Sequence, residues 1–206
     1  MMETPVMFNS ADGVSLEGLL ARSSGSSGVI VNHPHSLYGG NMVNPVVEAI
    51  TGVYADKGFT TLRFNFRGVG KSDGAFADGS GEQLDVSGAI EYLLGAGIER
   101  VHLVGYSFGA RVLAGMAHLP PQVCLQLHVA PPVALMDYDS ITHIGKLRHV
   151  IVGQDDDIAP PDTIRALIEG WNAEASCTVI SGADHFFSRT MEEFKRVLAK
   201  LVDDVE

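Results

Sequence analysis

Basic residues are scarce in this chain. Fourteen Lys+Arg stand against 25 Asp+Glu, a formal net charge of -11. No basic face for nucleic acid is expected, and anionic substrates and membranes would be mildly repelled. Cysteine is scarcer still: Cys124 and Cys177 lie far apart, each inside an apolar run. Both read as reduced thiols buried in a core. No window approaches the ~18 apolar residues of a membrane span. The opening MMETPVMFNSADG has no basic region followed by an apolar stretch, so no signal peptide is expected. A soluble, cytoplasmic protein without a membrane partner is the expectation. Long linkers and internal repeats are also missing.

What is present is a globular composition. The 206 residues are 46% hydrophobic and 19% charged, which suits one domain spanning 1–206 with a sizeable core. Val6 to Leu20 reads as a hairpin turning at Asp12-Gly13, and SSGSSG as a surface turn. Short apolar strands then alternate with helices. GVIVN, FTTLRFNF, RVHLVGY, CLQLHVA, HVIVGQ and CTVIS are the strands. NPVVEAITGVYADKG, EQLDVSGAIEYLLGAG, the apolar run Val112 to Ala117, DTIRALIEGWNAE and a last segment carrying Phe194 and Leu198 are the helices. Thr190 with Glu193 forms a capping-box pattern before that last helix. Near-continuous apolar strands alternating with helices predict an α/β fold: a mostly parallel sheet, helices on both faces and an antiparallel N-terminal hairpin at one edge. Active sites in such sheets lie beyond the carboxyl ends of the strands.

One polar residue stands where a strand turns into a helix. Gly105-Tyr106-Ser107-Phe108-Gly109 fits G-x-S-x-G, directly after the strand RVHLVGY. So sharp a turn forces its central residue into a strained conformation, and side chains two positions away would collide, hence the glycines. The turn presents the Ser107 hydroxyl. The next backbone N–H, from Phe108, sits at a helix N-terminus, where unsatisfied donors favour an anion. A serine nucleophile needs a base, and the base an orienting acid. Downstream, VIVGQDDDIAPP ends a strand in Asp155, Asp156 and Asp157, and VISGADHFF ends the last strand in Asp184-His185. The order serine, acid, histidine is that of an acyl-transfer site on an α/β sheet.

From NHPHSLYGGNM through NFRGVGKSDG, GYSFGA and GQDDDIAPP to GADHFF, nearly the whole chain resembles the small α/β-hydrolases of the serine esterase and lipase superfamily, closest to short, lidless, dienelactone-hydrolase-like members. Dienelactone hydrolases proper carry cysteine where this chain has Ser107. The resemblance implies Ser107 as nucleophile, His185 as base and Asp156, from the pattern G-x-x-D-x-x-x-P, as acid, with Asp155 and Asp157 as alternatives. It also implies an oxyanion hole of the backbone N–H groups of Phe108 and His35. The short connection PPVALMDYDSITHIGKLR leaves room for no lid or a minimal one, so an open site for small soluble carboxylic esters is expected. Tyr38, Phe76, Leu135, Met136, Phe186 and Phe187 are candidates for its apolar pocket. A peptidase or thioesterase with the same triad, or a non-catalytic binding module on this fold, are the alternatives.

Two decoys are set aside. NFRGVGKS nearly matches a phosphate loop, but Asn65 replaces the first glycine and the glycine-rich DGAFADGSG, not a helix, follows it. Arg67 there reads as structural. His33 and His35 form an H-x-H pair without further metal ligands, and read instead as wall residues of the pocket. His102 and His128, inside strands, read as ordinary core or surface residues. No metal and no cofactor are called for.

Overall fold

The computed structural model describes residues 2–204. Among them the chain runs β1 (Thr4–Asn9), β2 (Ser15–Ala21), β3 (Ser27–Asn32), α1 (Pro45–Asp56), β4 (Thr60–Phe64), α2 (Ser80–Gly95), β5 (Arg100–Tyr106), α3 (Phe108–Ala114), β6 (Val123–Val129), β7 (Leu147–Gly153), α4 (Pro161–Trp171), β8 (Ser176–Ile180) and α5 (Met191–Asp203). A single 3₁₀ turn, Ser36–Tyr38, interrupts the loop after β3.

The strands form one sheet in the order β1-β2-β4-β3-β5-β6-β7-β8. β1 pairs with β2 and β2 with β4 antiparallel; every later pairing is parallel. Successive side chains of a strand point to opposite faces, and both faces here are covered. Thus Val29 and Val31 join the core beneath α1 and α5, while Ile30 between them joins the core beneath α2 and α3. That is why GVIVN and VHLV read as unbroken apolar runs rather than alternating ones.

The chain moves outward from β3 to β4, then returns across β3 to place β5 on its other side. The carboxyl ends of β3 and β5 therefore flank the point where the winding reverses, the place where such sheets bind ligands. Asn32, last in β3, pairs in register with Gly105.

Local boundaries depart from expectation in instructive ways. α3 stops at Ala114, not Ala117, with Gly115 at its C-cap in the right-handed region. The expected capping box at α5 does not form. Thr190 precedes the helix, but its hydroxyl makes no cap bond and is buried without a partner. Glu193 faces outward and pairs with Arg196 instead. Half of such a box forms at α2, where the Glu82 carboxylate accepts from Gly79 N–H at 2.8 Å and Ala77 N–H at 2.9 Å, while Gly79 has no side chain to return the bond. That helix also takes in Ser80 and Gly81, the last residues of the glycine-rich stretch. Cys124 and Cys177 are free but only half-buried, not core thiols. The connection between β6 and β7 contains no helix, and no helix among the described residues is long and apolar enough to cross a membrane.

Arg67, in the phosphate-loop decoy, is a structural clamp. Its guanidinium binds the buried Asp85 through Nε at 2.9 Å and Nη2 at 2.8 Å, and reaches Asp12 of the hairpin turn at 2.8 Å. The β4–α2 loop is thereby tied to the first hairpin.

Three histidines are buried in neutral form. Burial pushes His33 and His102 down to about 4 and His128 to about 3. An unfolded histidine takes up its proton near pH 6.5, so between about 6.5 and 4 the unfolded chain binds protons the folded chain refuses. Stability is therefore full above pH 6.5 and falls with acidification, by up to about 1.4 kcal/mol per pH unit for each group. His102 packs against Phe59, ring centroids 4.9 Å apart, and its Nδ1 has no partner. Urea midpoints measured from pH 7 to pH 4.5 are expected to show this slope, and His102→Phe to reduce it by one histidine's share.

Candidate active site

Ser107 occupies the left-handed region, with φ 52° and ψ -115°. Few non-glycine residues tolerate this conformation, and it costs on the order of 1–3 kcal/mol. Neighbouring bonds hold it there. Ser107 N–H donates to Val129 C=O at 2.8 Å, and Ser107 C=O accepts from Ala110 N–H at 2.9 Å. The flanking glycines are required for different reasons. A Cβ on Gly105 would stand 2.5 Å from the Ala110 nitrogen and the Gly109 carbonyl carbon. A Cβ on Gly109 would stand 2.4 Å from the Asn32 carbonyl oxygen, so this glycine makes room for β3.

The Ser107 hydroxyl meets His185. Oγ lies 3.0 Å from His185 Nε2, and His185 Nδ1 lies 2.8 and 3.0 Å from the two oxygens of Asp156. A carboxylate only accepts, so Nδ1 carries the proton and Nε2 is left to accept from the serine O–H. Asp156 Oδ1 also accepts from Ile158 N–H at 2.9 Å and Ala159 N–H at 2.7 Å. Side-chain and backbone donors together satisfy the buried carboxyl group. Asp155 and Asp157 are exposed and make no contact with His185. Tyr106, buried beside the serine, donates its hydroxyl to the His185 carbonyl at 3.2 Å and stacks near its ring.

These residues open on a cavity of about 670 Å³. Tyr38, Leu135, Met136 and Phe186 line it, as does His35. Phe187 does not: it is fully buried against Phe194, on the core side of the histidine loop. Phe76 stands one layer back, its ring against His35 and Phe108. His33 is not a wall residue either. Its Nδ1 donates to Pro34 C=O at 2.6 Å and its Nε2 accepts from Phe66 N–H at 3.0 Å. It thus pins the loop that carries His35. With both ring nitrogens engaged it is closed to metal, and among the described residues no three His, Cys, Asp or Glu side chains gather as a metal site. The N–H groups of His35 and Phe108 have no protein acceptor among the described residues.

Sequence reasoning missed Tyr106 as a support for the histidine loop, His33 as a loop pin, and Asp78, which lines the cavity. The GYSFG motif contains Tyr106, but nothing in the motif says where its hydroxyl goes.

Comparison with known proteins agrees with the geometry of the fold. Residues 35–140 match the family described as alpha/beta hydrolase fold. An uncharacterized protein of Rickettsia prowazekii, RP471, is 32% identical over 205 residues, covering 94% of this chain and 86% of its own. An alpha-beta serine hydrolase homologue from Coxiella burnetii superposes with a TM-score of 0.88 at 30% identity, covering 98% of both chains. XC6422 from Xanthomonas campestris, an a/b serine hydrolase without lid, gives 0.86 at 28% identity, covering 99% of this chain and 95% of that one. The chain belongs to the alpha/beta hydrolase family and is a hydrolase.

Two substitutions test the turn. Gly109→Ala is expected to lower unfolding free energy by on the order of 3 kcal/mol, read as a urea midpoint shift, because the β3 backbone at Asn32 blocks the methyl group. Ser107→Gly should raise stability above that of Ser107→Ala by about 1 kcal/mol, since glycine alone adopts this backbone without strain. Equal thermal midpoints for the two would mean the turn stores no strain.

Proposed function

We propose that the protein is a serine esterase that hydrolyses small, accessible carboxylic esters through an acyl-serine. Ser107 Oγ attacks the ester carbonyl carbon while His185 Nε2 takes its proton. The carbonyl oxygen, now negative, is received by the N–H groups of Phe108 and His35, each worth about 2.7–4 kcal/mol at the barrier. The tetrahedral species collapses, its C–O bond breaks, and the leaving alcohol takes the proton from His185. Water then attacks the acyl-serine as His185 removes a proton from it; the acid departs and Ser107 regains its hydrogen. Asp156 keeps the ring in the productive tautomer and stabilises the imidazolium.

One observation carries this proposal: the row Ser107–His185–Asp156 at 3.0 and 2.8 Å, at the mouth of a cavity that two unoccupied backbone donors adjoin. The helix-free β6–β7 connection supports an open entrance and hence soluble esters rather than lipid aggregates. The apolar Leu135, Met136 and Phe186 support an acyl or alkyl portion of moderate size.

Ser107→Ala is expected to lower kcat on a p-nitrophenyl ester by on the order of 10⁴ or more and to abolish fluorophosphonate labelling. Asp156→Asn is expected to lower kcat by about 10⁴, with the fold intact by circular dichroism. Full hydrolysis by Ser107→Ala, or no labelling of folded wild-type protein, would refute the proposal.

A further inference from the structure

The cavity lining divides by chemistry. Leu135, Met136, Ile158 and Phe186 are apolar; Asp78 is its single carboxylate, and no lysine or arginine is among the lining residues. Asp78 lies on the loop before α2, exposed, in the left-handed region at φ 51°. It enters no ion pair among the described residues. Nor does it serve the helix beside it: Glu82 already accepts both loop N–H groups there. Asp78 thus lines the cavity with no ion pair among the described residues.

The cavity that Asp78 lines also carries aromatic rings. The His35 ring stands 4.8 Å from Tyr38 and 4.8 Å from Phe108, and Tyr38 is 85% exposed. The charges of Asp78 and Glu82 reach His35, but burial outweighs them and holds the ring below its ordinary pKa. The ring is therefore neutral at pH 7 and does not neutralise the carboxylate. Aromatic faces beside an unpaired carboxylate attract a weakly hydrated cation, and quaternary ammonium groups above all.

We infer that Asp78, with the rings of Tyr38 and His35, forms a subsite for a quaternary ammonium group on the substrate. The inference rests on the reading of this cavity as the ester site. It deepens that reading to esters carrying a positive charge, and it sets the cavity against anionic ones. The overall charge of -11 acts in the same direction over longer range.

The test pairs a choline ester with its uncharged 3,3-dimethylbutyl isostere. Wild-type protein is expected to favour the choline ester about five-fold in kcat/KM, chiefly through KM, from an exposed ion pair and a cation–π contact combined. The ratio should shrink as salt rises and fall to about two in Asp78→Asn, where the cation–π contact is left without the ion pair, asparagine tolerating the same backbone region. A ratio near one in wild type, or one unchanged in Asp78→Asn, overturns the inference. Calorimetric binding of the two esters to Ser107→Ala, with and without Asp78→Asn, gives a readout free of turnover. Asp78-dependent preference there with no hydrolysis by wild type would uphold the subsite and sink the esterase proposal. Hydrolysis of both esters at equal rates would do the reverse.

Discussion

Everything at this site depends on one backbone constraint: Ser107 is held in a conformation that its own side chain resists. The cost is local and the restraint is not. β6 supplies the acceptor for its N–H, α3 supplies donors to its carbonyl, and β3 comes so near that only glycine fits at position 109. Strain of this kind persists only where surrounding structure over-determines it. The parallel pairing of β3, β5 and β6 does that, since every one of these strands is buried on both faces.

The second requirement is to satisfy the hydrogen-bonding capacity of a carboxylate buried beside an imidazole. Asp156 is almost wholly removed from water. A polar group buried without partners is costly. Two backbone N–H groups from the start of the α4 approach and one ring N–H satisfy it instead. The histidine end is anchored separately, through Tyr106, which follows Gly105 in the same turn that presents the serine. Ser107 and His185 thus share a support, and a shift of one carries the other.

Much of this was legible in the sequence, for reasons that can be named. Strands covered on both faces are unbroken apolar runs, so GVIVN and RVHLVGY announced themselves. The glycines at 105 and 109 signalled a tight approach, and the order of Ser107, Asp156 and His185 followed from which strand ends carry polar residues. The mutual identity of neighbours across loops was not legible. The part of Asp78 in the cavity wall depends on how the β4–α2 loop is tied down by Arg67 to Asp85 and Asp12, contacts with no local signature. The expectation for Thr190 and Glu193 failed because a capping pattern specifies residue types, while the cap itself depends on φ and ψ that tertiary packing chose otherwise. Phe187 was mistaken for a pocket residue because adjacent residues in an irregular loop can face opposite ways, here Phe186 to the cavity and Phe187 to the core.

Leu37, Tyr38, Leu135 and Phe186, at and beside the cavity mouth, remain largely in contact with water. Such residues contribute little to the free energy of folding, and exchanging them disturbs stability by tenths of a kilocalorie, about 0.5 kcal/mol at most. The molecule therefore separates what must stay fixed from what is free to drift. Exchanging rim side chains would reshape the mouth of the cavity while leaving the glycines and the buried row beneath it in place.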